Sequence, residues 1–203
     1  AERLAAENPF YTGLHNDSTG FPDGYGPTSQ EVLIPAFLAA YAKKDPNKIS
    51  LKPFSEKLLA AIPLPNWKVT YTGLTRIRWI KKWFKNISVS HAYRNTYSVG
   101  SYVTSVRFDD KDGDGYTNIR DVVKNFLSEK EIGQISINEQ FNPLIGFDMT
   151  MVNSLLLKFE IRKSRNLAMS FANTQLTEVS SDEYVIGAGY RIKDVTFNIK
   201  TGG

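Results

Sequence analysis

The residues with the most specific chemistry in this 203-residue chain are Asp110, Asp112 and Asp114, spaced two apart and followed by Gly115. In a D-x-D-x-D-G calcium loop, positions 1, 3 and 5 supply carboxylates and position 6 a glycine for the sharp turn, while position 7 supplies a backbone carbonyl and position 12 closes the shell. On that template Asp110, Asp112, Asp114, Tyr116, Asn118 and Asp121 are the candidate calcium ligands. Ile119 to Leu127 is then the expected following helix. Asp at position 12 and the lack of a good preceding helix resemble a single dockerin-type loop. A dockerin carries two such repeats and only one is present, so cohesin binding is not implied.

A second constellation runs from Thr75 to Lys85, where Trp79, Trp83, Ile77, Ile80 and Phe84 recur at helical spacing among Arg76, Arg78, Lys81, Lys82 and Lys85. Indole rings interleaved with lysines suit a membrane interface, so Trp79, Trp83, Lys81, Lys82 and Lys85 are candidate interface anchors. The other reading is a solvated connector helix. Nucleic acid is not expected, because the net charge is only +4 and the remaining basic residues are spread along the chain. His15 and His91 stand alone without an HExxH pattern, and His91 reads as a satisfied wall residue. The sequence has no cysteine, which excludes disulfides and thiolate chemistry. Gly187-Ala188-Gly189 lacks the rest of a dinucleotide fingerprint, and no Walker loop is present. These residues identify no active site, and the expectation is a non-enzyme.

Two kinds of element must position these groups. The Gly- and Pro-rich stretch from Asn8 to Pro27 reads as an ordered aromatic loop, and Thr28 and Ser29 can cap a helix over Glu31–Ala42. A short helical turn is expected at Ser55–Ala61. From Trp67 onward the period becomes 2, with a long strand through Ile87, Val89, His91, Tyr93, Asn95, Tyr97, Val99 and Val103. Shorter units follow around Ile135, Phe147, Leu157, Met169 and Ile186, joined by apparent turns at Asn142-Pro143, Asn153-Ser154 and Lys163-Ser164-Arg165-Asn166. Val195, Phe197 and Ile199 are read as a last strand. Connectors this short require an antiparallel meander.

One parity along these strands is aliphatic with tyrosines near strand ends, and the other is small or charged. That division fits an outer-membrane barrel wall with a polar lumen. A soluble lipocalin-like barrel or sandwich has the same period. No apolar run approaches about 18 residues, so no membrane-spanning helix is expected. The chain opens at Ala1-Glu2-Arg3-Leu4 without an initiator Met, as expected of a piece of a longer protein.

Several stretches in order, Val32–Tyr41, Pro63–Trp67, Ser90–Gly100, Pro143–Gly146, Phe159–Leu167 and Val185–Lys193, resemble the C-terminal part of the SprA/Sov family. Among them are His91-Ala92-Tyr93-Arg94-Asn95-Thr96-Tyr97 and Glu160-Ile161-Arg162-Lys163-Ser164-Arg165-Asn166. The likeness runs from about Gly20 to Ile199. That family is the outer-membrane translocon of the type IX secretion system, also linked to gliding motility. The resemblance implies a barrel of very many strands that exports folded proteins. It also implies a PorV-like outer-membrane protein, a periplasmic plug protein and secreted cargo as partners. The expected fold is mainly β: an antiparallel meander forming part of a large outer-membrane barrel. Residues 1–65 would be a helical and loop region, and residues 66–203 wall strands with a calcium-type loop-helix insertion near 109–130. The other function class carried forward is a soluble, secreted, calcium-stabilised β module for adhesion or ligand binding.

Overall fold

A computed structural model describes residues 1–49 and 66–192. The helical turn expected at Ser55–Ala61 and the strand expected at Val195–Ile199 lie outside the described residues. The α-helices are α1 (Glu2–Glu7), α2 (Gln30–Ala42) and α3 (Arg78–Trp83). The strands are β1 (Trp67–Tyr71), β2 (Phe84–Val99), β3 (Tyr102–Thr104), β4 (Lys130–Ile132), β5 (Gln134–Met151), β6 (Leu155–Ser170) and β7 (Gln175–Tyr190). The fold is mainly β: an antiparallel five-stranded sheet in the order β1-β2-β5-β6-β7, beside a two-stranded β3-β4 ribbon. The described strands form an open sheet and do not close into a barrel.

Two of the expected turns are absent. Asn142-Pro143 lies inside the single strand β5, and Lys163-Ser164-Arg165-Asn166 lies inside β6. In the second of these the turn-like composition is overridden by partners on neighbouring strands. Lys163 pairs with Asp182 at 3.3 Å, and Arg165 with Glu178 at 2.7 Å. The turn at Asn153-Ser154 does form, with Ser154 at φ +68° and its N–H donating to Met151 O at 3.1 Å.

The chain divides into two compact units, each of which includes parts of the long strands. The first comprises Ala1–Leu64, Tyr97–Ile137 and Leu167–Thr177. Its core forms around α2, which buries Ile34, Phe37, Leu38 and Ala39 against Ile132, Ile135, Ile137, Leu167 and Met169. Each fully buried aliphatic side chain there contributes about 1.5–3 kcal/mol of transfer free energy. Ser29 caps α2 through its carbonyl, which accepts from Val32 and Leu33 N–H, while its side chain makes no cap bond. Lys43 ends the helix in the left-handed region, its N–H on Ala40 O and that of Lys44 on Ala39 O. The Gln30 amide serves as a substitute β-partner: Nε2 donates to Lys130 O, and Oε1 accepts from Ile132 N–H at 2.8 Å.

Glu31, in the first turn of α2, has its pKa raised from 4.5 by burial, against the opposing hydrogen bond from Ser128. A carboxyl whose folded pKa is raised stabilises the fold most when protonated, below its unfolded value, and that contribution fades as pH rises through the folded value. Glu31→Gln is therefore expected to be more stable than the wild type at neutral pH. The difference should disappear below about pH 4.5. Urea midpoints of both proteins across the acid range check this, and a constant difference would exclude Glu31 as its source.

The aromatic loop is ordered by contacts far away in sequence. Tyr25 is buried with its hydroxyl accepting from Asn8 Nδ2 at 2.8 Å, and its ring lies 5.3 Å from that of Phe126. Burial raises the Tyr25 pKa well above its ordinary value, so the hydroxyl stays neutral. Asn125 Oδ1 accepts from Gly26 N–H at 2.8 Å and its Nδ2 donates to Thr28. Arg120 reaches Asp23 at 2.8 Å and lies over the Phe126 ring.

The second unit comprises Pro65–Thr96, Asn138–Asn166 and Glu178–Gly203. β1 pairs antiparallel with β2, setting Trp67 opposite Tyr93, Val69 opposite His91 and Tyr71 opposite Val89. The Trp67 and Tyr93 rings stack at 4.6 Å, and Tyr93 continues to Phe141 at 4.8 Å. Such aromatic neighbours contribute about 0.5–1.5 kcal/mol beyond their area burial.

Candidate functional site

The acidic loop folds as a cradle of backbone caps. Asp110 Oδ1 accepts from Gly113 and Asp114 N–H at 2.8 and 3.1 Å, its Oδ2 accepts from Gly115 N–H at 2.9 Å, and Asp114 Oδ1 accepts from Tyr116 N–H. Gly113 and Gly115 supply the positive φ that this tight path requires. Asp121, expected to close a metal shell from position 12, is committed to its own turn. Its Oδ1 accepts from Val123 and Asn125 N–H, both at 2.9 Å.

The expected helix over Ile119–Leu127 does not form. Residues 119–127 contain a turn closed by an Arg120–Phe126 bridge, with Lys124 at φ +68°. Asp121 outcompetes the helix by capping N–H groups two and four residues ahead, and the Asn125 side chain is held by Gly26 and Thr28. Among the described residues, no group of three acidic or histidine side chains is placed to hold a metal.

Asp110→Ala removes an acceptor shared by three backbone donors. It is expected to cost about 1–2 kcal/mol of local opening. The check is faster amide exchange at Gly113, Asp114 and Gly115, and unchanged rates would mean that the turn stands without Asp110.

The interface candidates lie on or beside α3. Trp79 and Trp83 are 67% and 61% exposed, while Ile80 on the same helix is buried. Lys81 and Lys82 occupy its last turn and Lys85 follows in β2. Val152 N–H donates to Trp83 O at 3.0 Å, and Arg191 N–H donates to Ser154 O at 3.1 Å. These bonds bring the tryptophans and the β5-β6 turn to one end of the second unit.

His91 is satisfied, its Nδ1–H donating to Leu144 O at 2.6 Å among Trp67 and Phe141. His15 meets Glu2 and Tyr11 at the surface. Neither histidine is set beside a nucleophile or a metal-ligand cluster.

The sequence reading missed the ion-pair networks. On one sheet face Glu160, 7% exposed, lies between Lys158 at 2.8 Å and Arg162 at 2.5 Å, and Arg162 reaches Glu183 at 3.3 Å. Gly146 packs beside it, and a Cβ there would crowd Ser90 Oγ at 2.7 Å and Pro143 Cγ at 2.9 Å while only touching Glu160 Cγ at 3.4 Å. The available signal was Lys158-x-Glu160-x-Arg162, three charges of alternating sign at strand period. A scan against family models finds no match for this chain, and no curated protein matches its sequence.

Proposed function

We propose that the chain is a stretch of outer-membrane β-barrel wall belonging to a translocon of the SprA/Sov type, acting in the export of folded proteins without catalysis. The observation that carries this reading is an apolar face left uncovered: Tyr184, Ile186 and Tyr190 on β7, and Val69 and Tyr71 on β1, are all exposed in the second unit. Exposed apolar area on this pattern marks a lipid- or partner-facing surface. The opposite parity carries small residues and the Lys158–Glu160–Arg162–Glu183 network, whose charges cancel. A wall of that kind offers cargo a wetted, weakly adhesive surface, so transport would be passive binding and release. By resemblance the partners would be a PorV-like protein, a periplasmic plug and cargo.

The test is partition. The purified chain, mixed with lipid vesicles, is expected to acquire its β spectrum only with lipid or detergent and to float with the vesicles. A folded aqueous monomer without detergent ends the wall reading in favour of the soluble β module.

Calcium enters this proposal as an accessory that orders residues 110–121, with Asp121 released from its turn to join Asp110, Asp112 and Asp114. Titration is expected to slow amide exchange at Gly113–Tyr116 in the wild type and not in Asp114→Ala. An unresponsive wild type removes calcium from the account.

A further inference from the structure

We infer that a polar row across β2, β5, β6 and β7 marks the level at which bilayer hydrocarbon ends on the apolar face of the second unit. The inference rests on the barrel-wall reading. Asn95 Nδ2 donates to Tyr93 Oη at 3.2 Å, and Tyr93 Oη donates to Glu139 at 3.0 Å. Arg165 lies 3.9 Å from Glu139 and 2.7 Å from Glu178. All these groups belong to the second unit and to the parity that is otherwise apolar there.

Elsewhere in the second unit that parity carries Phe141, Leu157, Phe159 and Ile186, and Ile186 is 80% exposed.

Magnitude fixes the level of the row. An arginine facing lipid costs about 2–4 kcal/mol at the midplane and about 0–1 kcal/mol near the headgroups, and a carboxylate less. Arg165 with two glutamates in one row therefore fits the headgroup level. The distance to the other boundary agrees. Ten positions separate Asn95 from Lys85, Glu139 from Met149 and Arg165 from Leu155. Ten residues at about 3.3 Å each, tilted by roughly 40°, span about 25 Å, the height of such a lipid belt. At that far end stand Trp79, Trp83, Lys81 and Lys82, the residue types of an interfacial girdle. Lys163 and Asp182 lie slightly inside the row and pair with each other.

The absence of cysteine makes single-cysteine labelling direct. The full chain, reconstituted in phosphatidylcholine vesicles, is labelled with bimane at Ile186→Cys, Ala188→Cys or Leu176→Cys. Leu176 shares the β7 parity, is exposed, and lies beyond Glu178 in the first unit. Mid-chain brominated lipid is expected to quench positions 186 and 188 several-fold more than position 176, and aqueous iodide to do the reverse. Equal lipid quenching at position 176 overturns the boundary while leaving the wall reading intact. Lipid quenching at none of the three overturns the wall reading itself. Ala188→Cys replaces a small exposed residue and carries the test if Ile186→Cys fails to fold.

Discussion

Gly24→Ala is expected to destabilise the first unit by about 3 kcal/mol, as the sum of a left-handed backbone penalty of about 1–2 kcal/mol and an overpacking term of about 1–3 kcal/mol. Gly24 has φ +90°, and a Cβ built there would lie 2.3 and 2.4 Å from two carbons of the Phe126 ring. The ring has little freedom to yield: Tyr25 flanks it and the Arg120 guanidinium lies 4.5 Å from its centroid. Arg120 is in turn held by Asp23 and by Lys124 O. Gly24 O also accepts from Phe126 N–H at 2.8 Å, so the two backbones cannot separate without losing a bond. Gly20 is the control, with φ +71° and nothing within 4 Å of the built Cβ. Gly20→Ala should show the backbone penalty alone, about 1 kcal/mol. Urea unfolding of both variants measures the difference, and a Phe126→Leu background should recover much of it for Gly24→Ala only. Equal losses in the two single variants would show that the ring moves aside freely.

The same aromatic node shows what local pattern can and cannot reveal. Period 2 was visible from Trp67 onward because side-chain alternation is a property of the strand itself. α2 was visible because its apolar positions recur at three and four, and the α3 region for the same reason. Strand lengths were not visible. Lys163-Ser164-Arg165-Asn166 has the composition of a turn, and only Asp182, Glu178 and Glu139 across the sheet make it strand. The missing helix after the acidic loop has a similar cause. Nothing near Asn125 signals that its amide will cap Gly26, 99 residues away.

α1 was not anticipated from sequence. Six residues are too few to be stable by propensity, and the helix is held by burying Leu4 and Ala5 with Tyr25 and Phe126. In the candidate surface, the alternation of apolar and polar sides was legible, whereas the polar row that interrupts the apolar side was not. Asn95, Glu139 and Arg165 fall on three strands, and their adjacency depends on register.

Ile186→Arg is expected to separate the two function classes by the size of its effect. Ile186 is 80% exposed in the described chain and lies four residues from Asp182 and four from Tyr190. In a water-soluble module, replacing so exposed a side chain changes stability by no more than about 0.5 kcal/mol. At the middle of a lipid belt the same arginine costs about 2–4 kcal/mol, because its charge has neither water nor a carboxylate within reach. The opposite-face control is Leu156→Arg, three residues nearer the far end of the belt. Leu156 is 40% exposed and lies against Gly189, on the side of the sheet that carries Lys158 and Glu160. If that side lines an aqueous lumen, an arginine there stays hydrated and the cost remains near zero. Folding equilibria in vesicles, titrated with urea, compare the pair directly. Both variants replace an exposed apolar residue with the same charge, and they differ in which face of the sheet receives it and by three residues along the strand. A loss confined to Ile186→Arg places Ile186 in a nonaqueous medium. Equal and small losses place both faces in water, and the exposed apolar residues of the second unit would then need a protein partner instead of lipid.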